Sequence, residues 1–128
     1  MDSDVLDGSE SVVSAASTTS PRGVRLIDRD RVCVVCRVRP FNARELSLSG
    51  QSPPRSVVDM EDATVLLRDP TQRYELREQY TFDACFWSVP PWQQDSVASF
   101  ATQEDVYNEV GAPAVAAALE GVNASVFA

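Results

Sequence analysis

Apolar and polar positions alternate with a two-residue period through residues 31–39, placing Val32, Val34, Cys36 and Val38 on one face and Cys33, Val35, Arg37 and Arg39 on the other. That pattern predicts a β-strand covered on both sides at its start and polar on one side at its end. Pro40 cannot donate to a ladder, so both arginines belong at the strand's carboxyl end, the rim where open α/β sheets take ligands. Residues 46–55, with their serines, Gly50 and Pro53-Pro54, predict a loop. Three short strands are expected next, at 56–60, 63–68 and 74–82, forming a small antiparallel meander. In the last, Tyr74, Leu76, Tyr80 and Phe82 share one face and Glu75, Arg77, Gln79 and Thr81 the other, so one side should be wet; Glu78 interrupts the apolar face.

Residues 88–101 carry Pro90-Pro91-Trp92 followed by small and polar residues, which suits an exposed loop insertion. A helix is predicted to start sharply after Thr102, with Asp105 as a shorter version of the capping-box glutamate. Val106, Val110, Ala114 and Ala117 form its apolar stripe, and Val115, Ala118 and Leu119 widen it, so the second half should be mostly buried. Gly111 and Pro113 predict a kink, or a short helix followed by a second one. Gly121 fits the position just beyond the helix, and residues 123–128 read as the beginning of an apolar strand. At the other end, residues 1–28 have few large apolar side chains and no sustained period, which predicts a disordered, acidic, Ser/Thr-rich leader. Within it Ser20-Pro21 reads as part of an inert linker, with a phosphorylation site as the alternative.

The 128 residues are enough for one domain. The net charge is -8, and the first thirty residues hold six of the 19 acidic side chains. Such a balance argues against a nucleic-acid or anionic-membrane surface, both of which need a clustered basic patch. Three cysteines, no secretion signal and no apolar run of about 18 residues point to a reducing compartment, the cytoplasm, without membrane insertion. The absence of histidine removes Ser/His/Asp and Cys/His arrangements and the commonest zinc ligand. Cys33 and Cys36 spell C-x-x-C, yet on a strand residues three apart face opposite ways and cannot share an ion or a disulfide, so buried thiols are expected. Asn123-Ala124-Ser125 matches a glycosylation sequon without a secretion signal to deliver it. The scattered carboxylates show no paired spacing, so no catalytic residue and no metal ligand is named.

Arg37-Val38-Arg39-Pro40-Phe41-Asn42 is where a specific resemblance begins, since kinesin motor domains carry R-x-R-P after their first core strand. Tyr80-Thr81-Phe82-Asp83 with Phe86 is similar to that family's F-x-F-D-x-x-F element. Gln103-Glu104-Asp105-Val106-Tyr107 resembles its Q-x-x-V-F/Y helix start, and Leu119-Glu120-Gly121-Val122-Asn123 through Val126-Phe127-Ala128 its lead-in to the phosphate-binding loop. Four elements occur in the family's order; Val122 departs from it, standing where an aromatic residue is usual. Phe86-Trp87-Ser88 and the insertion before Ser99-Phe100-Ala101-Thr102 further resemble the third kinesin family of cargo transporters.

The resemblance implies an α/β, P-loop NTPase-type motor fold, present in part over residues 29–128: first core strand, small antiparallel lobe, first helix and start of the P-loop strand. It implies that Arg37, Arg39 and Pro40 flank the adenine of ATP, where guanidinium planes and a rigid apolar proline suit a purine ring. For the complete motor it implies ATP and Mg as cofactors, microtubules or tubulin as partner, and a cytoskeletal location. The glycine-rich loop whose amides, lysine and hydroxyl hold triphosphate and magnesium is expected directly after Ala128. The alternative is a non-catalytic cytoskeletal binding module or pseudo-motor fragment without ATP turnover. Residues 1–128 expressed alone are expected to show no ATPase, and microtubule-stimulated phosphate release from them would refute that.

Overall fold

Ala84–Trp87 is a strand buried at every one of its positions, and the rest of the architecture is arranged around it. The computed structural model of the protein describes residues 31–48, 50 and 54–128; the expected leader at 1–28 lies outside them. In chain order the elements are β1 (Val35–Val38), α1 (Ala43–Leu48), β2 (Val58–Glu61), β3 (Thr64–Asp69), β4 (Glu75–Thr81), β5 (Ala84–Trp87), α2 (Gln103–Val106) and α3 (Ala112–Leu119), the last two joined by a π-helical turn at Tyr107–Gly111.

β1 and β5 pair in parallel, Val35 opposite Ala84 and Val38 opposite Trp87. Backbone hydrogen bonds extend the pairing at both ends, from Asp83 N to Val34 O (3.0 Å) and from Ser88 N to Val38 O (2.9 Å). Strand alternation then sorts the apolar side chains to two covers. Cys36, Val38, Cys85 and Trp87 pack with Met60, Val65 and Val89 on the meander side, while Cys33, Val35, Ala84 and Phe86 pack with Ala101, Val106 and Val110 on the helix side. Cys33 and Cys36 thus take opposite faces, as the spacing predicts, and all three cysteines are thiols, Cys85 buried and Cys33 and Cys36 only half-buried where full burial was expected. Burial is the largest cause holding the Cys33 and Cys36 thiols above their ordinary value.

The expected meander is present in the order β2-β3-β4, with Met60 opposite Val65 and Val65 opposite Tyr80. β4 differs from expectation: all seven of its residues are exposed, Leu76 and Tyr80 included, so neither side is dry. The cause is position. β4 is the outer strand away from the core, which is centred on Met60 and Val65 of β2 and β3.

The loop expected at 46–55 starts inside α1, overlapping its last three residues, and the insertion expected at 88–101 is more ordered than composition suggests. α1 forms within the stretch 43–48, with Asn42 and Glu45 exchanging hydrogen bonds at its start: Glu45 N donates to Asn42 Oδ1 and Asn42 N to Glu45 Oε2, both 2.9 Å. Residues 88–101 are anchored rather than exposed throughout, because Ser88, Val89, Gln93 and Ala101 are buried and Ala101 N donates to Trp87 O (2.7 Å).

The helix begins as predicted. Thr102 and Asp105 form the complete reciprocal cap, Asp105 N donating to Thr102 Oγ1 (3.1 Å) and Thr102 N to Asp105 Oδ2 (2.7 Å). Proline is accommodated by widening a turn: Ala112 N–H reaches back to Tyr107 O, one residue further than an α-helical bond, just before Pro113. Gly111 lies under the Tyr107 ring, where an added Cβ would meet Cδ2 at 2.6 Å. At the far end Gly121 adopts φ +83°, and Val122 N to Ala117 O with Gly121 N to Ala118 O closes the helix in a Schellman arrangement.

Two expectations for this region fail. The second half of the helix is mostly open, with Ala114 its one buried residue and Leu119 85% exposed, because no described element lies over that stripe. Residues 123–128 form no strand, since none of the described strands pairs with them and an isolated strand leaves its backbone groups to water. The burial pattern is checked by unfolding in urea: Phe86→Ala, at a fully buried site, should cost about 3–5 kcal/mol. Leu119→Ala should stay within about 0.5 kcal/mol.

Candidate functional site

Arg37, Arg39 and Pro40 lie where β1 leaves its pairing with β5, and both arginine side chains are held through their N–H edges. Arg37 shares the β1 face of Val35, which turns it toward the helix start. There its Nε donates to Ser88 Oγ (2.9 Å) and its Nη1 to Gln103 Oε1 (2.6 Å). Ser88 is itself buried, and its hydroxyl donates to Ala101 O (2.7 Å).

Arg39 turns instead to α1, where a forked pair joins Nη2 to Glu45 Oε1 (2.8 Å) and Nη1 to Oε2 (2.9 Å). Nη1 also donates to Pro40 O (2.9 Å). The Arg39 hydrogen bonds, followed by that from Asn42 N, hold the Glu45 carboxyl down at about 2. The same pairing raises Arg39 above its ordinary value. The segment after Pro40 is pinned by Gln93, a buried side chain whose amide accepts from Phe41 N (2.8 Å) and donates to Phe41 O (3.2 Å).

The three residues singled out from the sequence therefore occupy one strand end, with the arginines on separate anchors. Sequence reasoning missed Glu45 and Gln93 and quoted Ser88 and Gln103 only as parts of motifs. The Asn42-x-x-Glu45 spacing is a capping-box signal that could have revealed α1 and Arg39's partner. Nothing local marks Ser88 or Gln93, whose partners are 51 and 52 residues away in the chain.

Two cavities among the described residues are lined by side chains other than Arg37, Arg39 and Pro40. One of about 670 Å³ opens on the meander side of β5, against Met60, Asp83, Cys85 and Trp87, and another of about 390 Å³ lies by Arg55, Tyr74 and Trp92. Among the described residues no group of three or more His, Cys, Asp or Glu is placed to hold a metal ion. No helix among them is long and apolar enough to cross a membrane.

The profile of the kinesin motor domain matches residues 37–128, which takes in the whole of this rim and the helix that supports it. The chain belongs to the kinesin motor family. It is 36% identical over 97 residues to the human kinesin-like protein KIF1C, covering 76% of this chain and 8% of the relative. It is 33% identical over 108 residues to rat KIF28, covering 77% and 10%, and 34% identical over 103 residues to mouse KIF13A, covering 77% and 6%. Two of these relatives, KIF1C and KIF13A, are of the third kinesin family, consistent with the resemblance carried by Phe86-Trp87-Ser88. This kinesin chain spans a tenth or less of the length of the relatives named. Its mixed sheet and helices are a partial P-loop NTPase-type motor fold.

The Glu45–Arg39 fork makes a pH prediction. Because the folded carboxyl titrates at about 2, below its ordinary 4.5, its stabilising contribution is complete above about pH 4.5 and is lost as pH falls through about 2. Carboxyl NMR titration should give Glu45 a midpoint near 2 that moves up in Arg39→Ala; a midpoint at the ordinary value in the parent protein would show that the fork does not form in solution.

Proposed function

We propose that this chain forms the base-binding corner of an ATP-driven, microtubule-based motor, with Arg37, Arg39 and Pro40 flanking the adenine ring. The observation that carries the reading is the way the guanidinium groups are held. Their hydrogen bonds run along the planar edges, to Ser88, Gln103, Glu45 and Pro40, and a purine stacks on the faces. Holding two long side chains in advance spares about 0.5–1.5 kcal/mol each of ordering cost when a ligand arrives. Pro40 adds a half-buried apolar edge whose nitrogen demands no partner.

The described residues fit the base and not the metal. The triphosphate and magnesium belong to the glycine-rich loop that the family resemblance places after Ala128, and no hydrolytic step is assigned to residues 31–128. ATP supplies the phosphoanhydride; this corner binds and orients its base. In the complete protein the reading gives microtubules or tubulin as partner and the cytoskeleton as location, supported by membership of the kinesin motor family.

Titration of the full-length gene product with a fluorescent ATP analogue tests it. Arg37→Ala and Arg39→Ala should each weaken binding on the order of tenfold, the scale of one stacked guanidinium. Binding indifferent to both replacements would end the reading.

A further inference from the structure

We propose that Gln103 and Ser88 are positioning residues for purine-nucleotide recognition, acting through Arg37; the inference rests on the adenine-flanking reading above. Arg37 is exposed and long, so without anchors its guanidinium would sample many rotamers. Two anchors remove that freedom, and each is fixed by something other than Arg37.

Ser88 follows β5 directly, and its one hydroxyl proton goes to Ala101 O at 2.7 Å, so toward Arg37 the oxygen presents lone pairs. Its burial leaves the hydroxyl no room to trade that bond for water. Gln103 is the first residue after the helix cap, and the reciprocal Thr102–Asp105 bonds set where that residue stands. Its Oε1 accepts from Arg37 Nη1 at 2.6 Å, while Ser88 accepts from Nε at 2.9 Å. Two bonds to different nitrogens of one planar group define the plane as well as the position.

Both acceptors are neutral, which separates this anchor from the Glu45 fork. Arg39 is held by a carboxylate that cancels its charge; Arg37 is held by an amide and a hydroxyl that leave its charge in place. Arg37 is thereby oriented as a plane and kept as a cation, the combination suited to a purine attached to an anionic phosphate chain. A glutamine at the helix start thus acquires a physical role that its distance of 66 residues from Arg37 conceals in the sequence.

The test uses the full-length protein, with a fluorescent ATP analogue and inorganic tripolyphosphate as competing probes. Gln103→Met keeps side-chain length and removes the acceptor. It should raise the dissociation constant of the ATP analogue about 2- to 10-fold, the scale of ordering one long side chain, and leave tripolyphosphate binding unchanged. Gln103→Glu, which restores an acceptor but adds the charge that Gln103 withholds from Arg37, should recover binding only in part. Adding Gln103→Met to Arg37→Ala should weaken binding no further than Arg37→Ala alone. Weakened binding in Arg37→Ala with none in Gln103→Met would overturn the positioning role and leave the adenine reading standing. Parallel losses of both probes in Gln103→Met would make the residue a support of the fold and likewise overturn it. Indifference to Arg37→Ala would remove both.

Discussion

A parallel pair of strands with apolar side chains on both faces has to be covered twice, and that requirement organises this chain. β1 and β5 are joined by the whole meander, since parallel neighbours need a long crossover. The meander, once made, supplies one cover through Met60 and Val65; the helix that follows supplies the other through Val106 and Val110. Phe86, fully buried, and Trp87, nearly so, point to opposite covers from adjacent positions. Each cover alone would leave half of β5 in water, so the meander and the helix start depend on the same four residues.

The rim inherits its geometry from the end of that pairing. Beyond Val38 the backbone of β1 has no partner strand, and Pro40 has no amide to offer one, so the chain is held by side chains instead. Gln93 takes both polar groups of Phe41, and Glu45 ties α1 back to Arg39. Arg37 is caught between the first residue after β5 and the first residue of α2, the two points at which the central strand and its helical cover converge. A protein with a net charge of -8 thus keeps two arginines together at one edge, one paired with a carboxylate and one held by neutral acceptors.

The helix shows the limits of patterning. Its start obeyed local rules, because a cap is made by residues three apart and needs no tertiary help. Its apolar second half did not become buried: a stripe such as Val115 and Leu119 expresses a demand for a partner, and no described residue meets it. The same holds for Val126 and Phe127, apolar enough to suggest a strand and exposed here for want of one beside them. β4 is the milder case, correctly alternating and still wet on both sides because no described element covers either of its faces.

What the amino-acid order determined by itself is whatever depends on neighbours within a few positions. The two-residue period of β1, the opposed faces of Cys33 and Cys36, the meander, the Thr102 cap and the glycine closure at Gly121 are of this kind, as are the ordered motifs that mark the kinesin family. The tertiary structure decided what long-range contact decides. It turned 88–101 from a loose insertion into an anchored return, and it chose Ser88 and Gln103 for Arg37 and Glu45 for Arg39. Whether an apolar stripe would be covered was settled there too. Hydrogen-bond partners separated by 51 or 66 residues leave no periodic trace in a sequence, because their meeting is set by how strands and helices pack rather than by spacing along the chain.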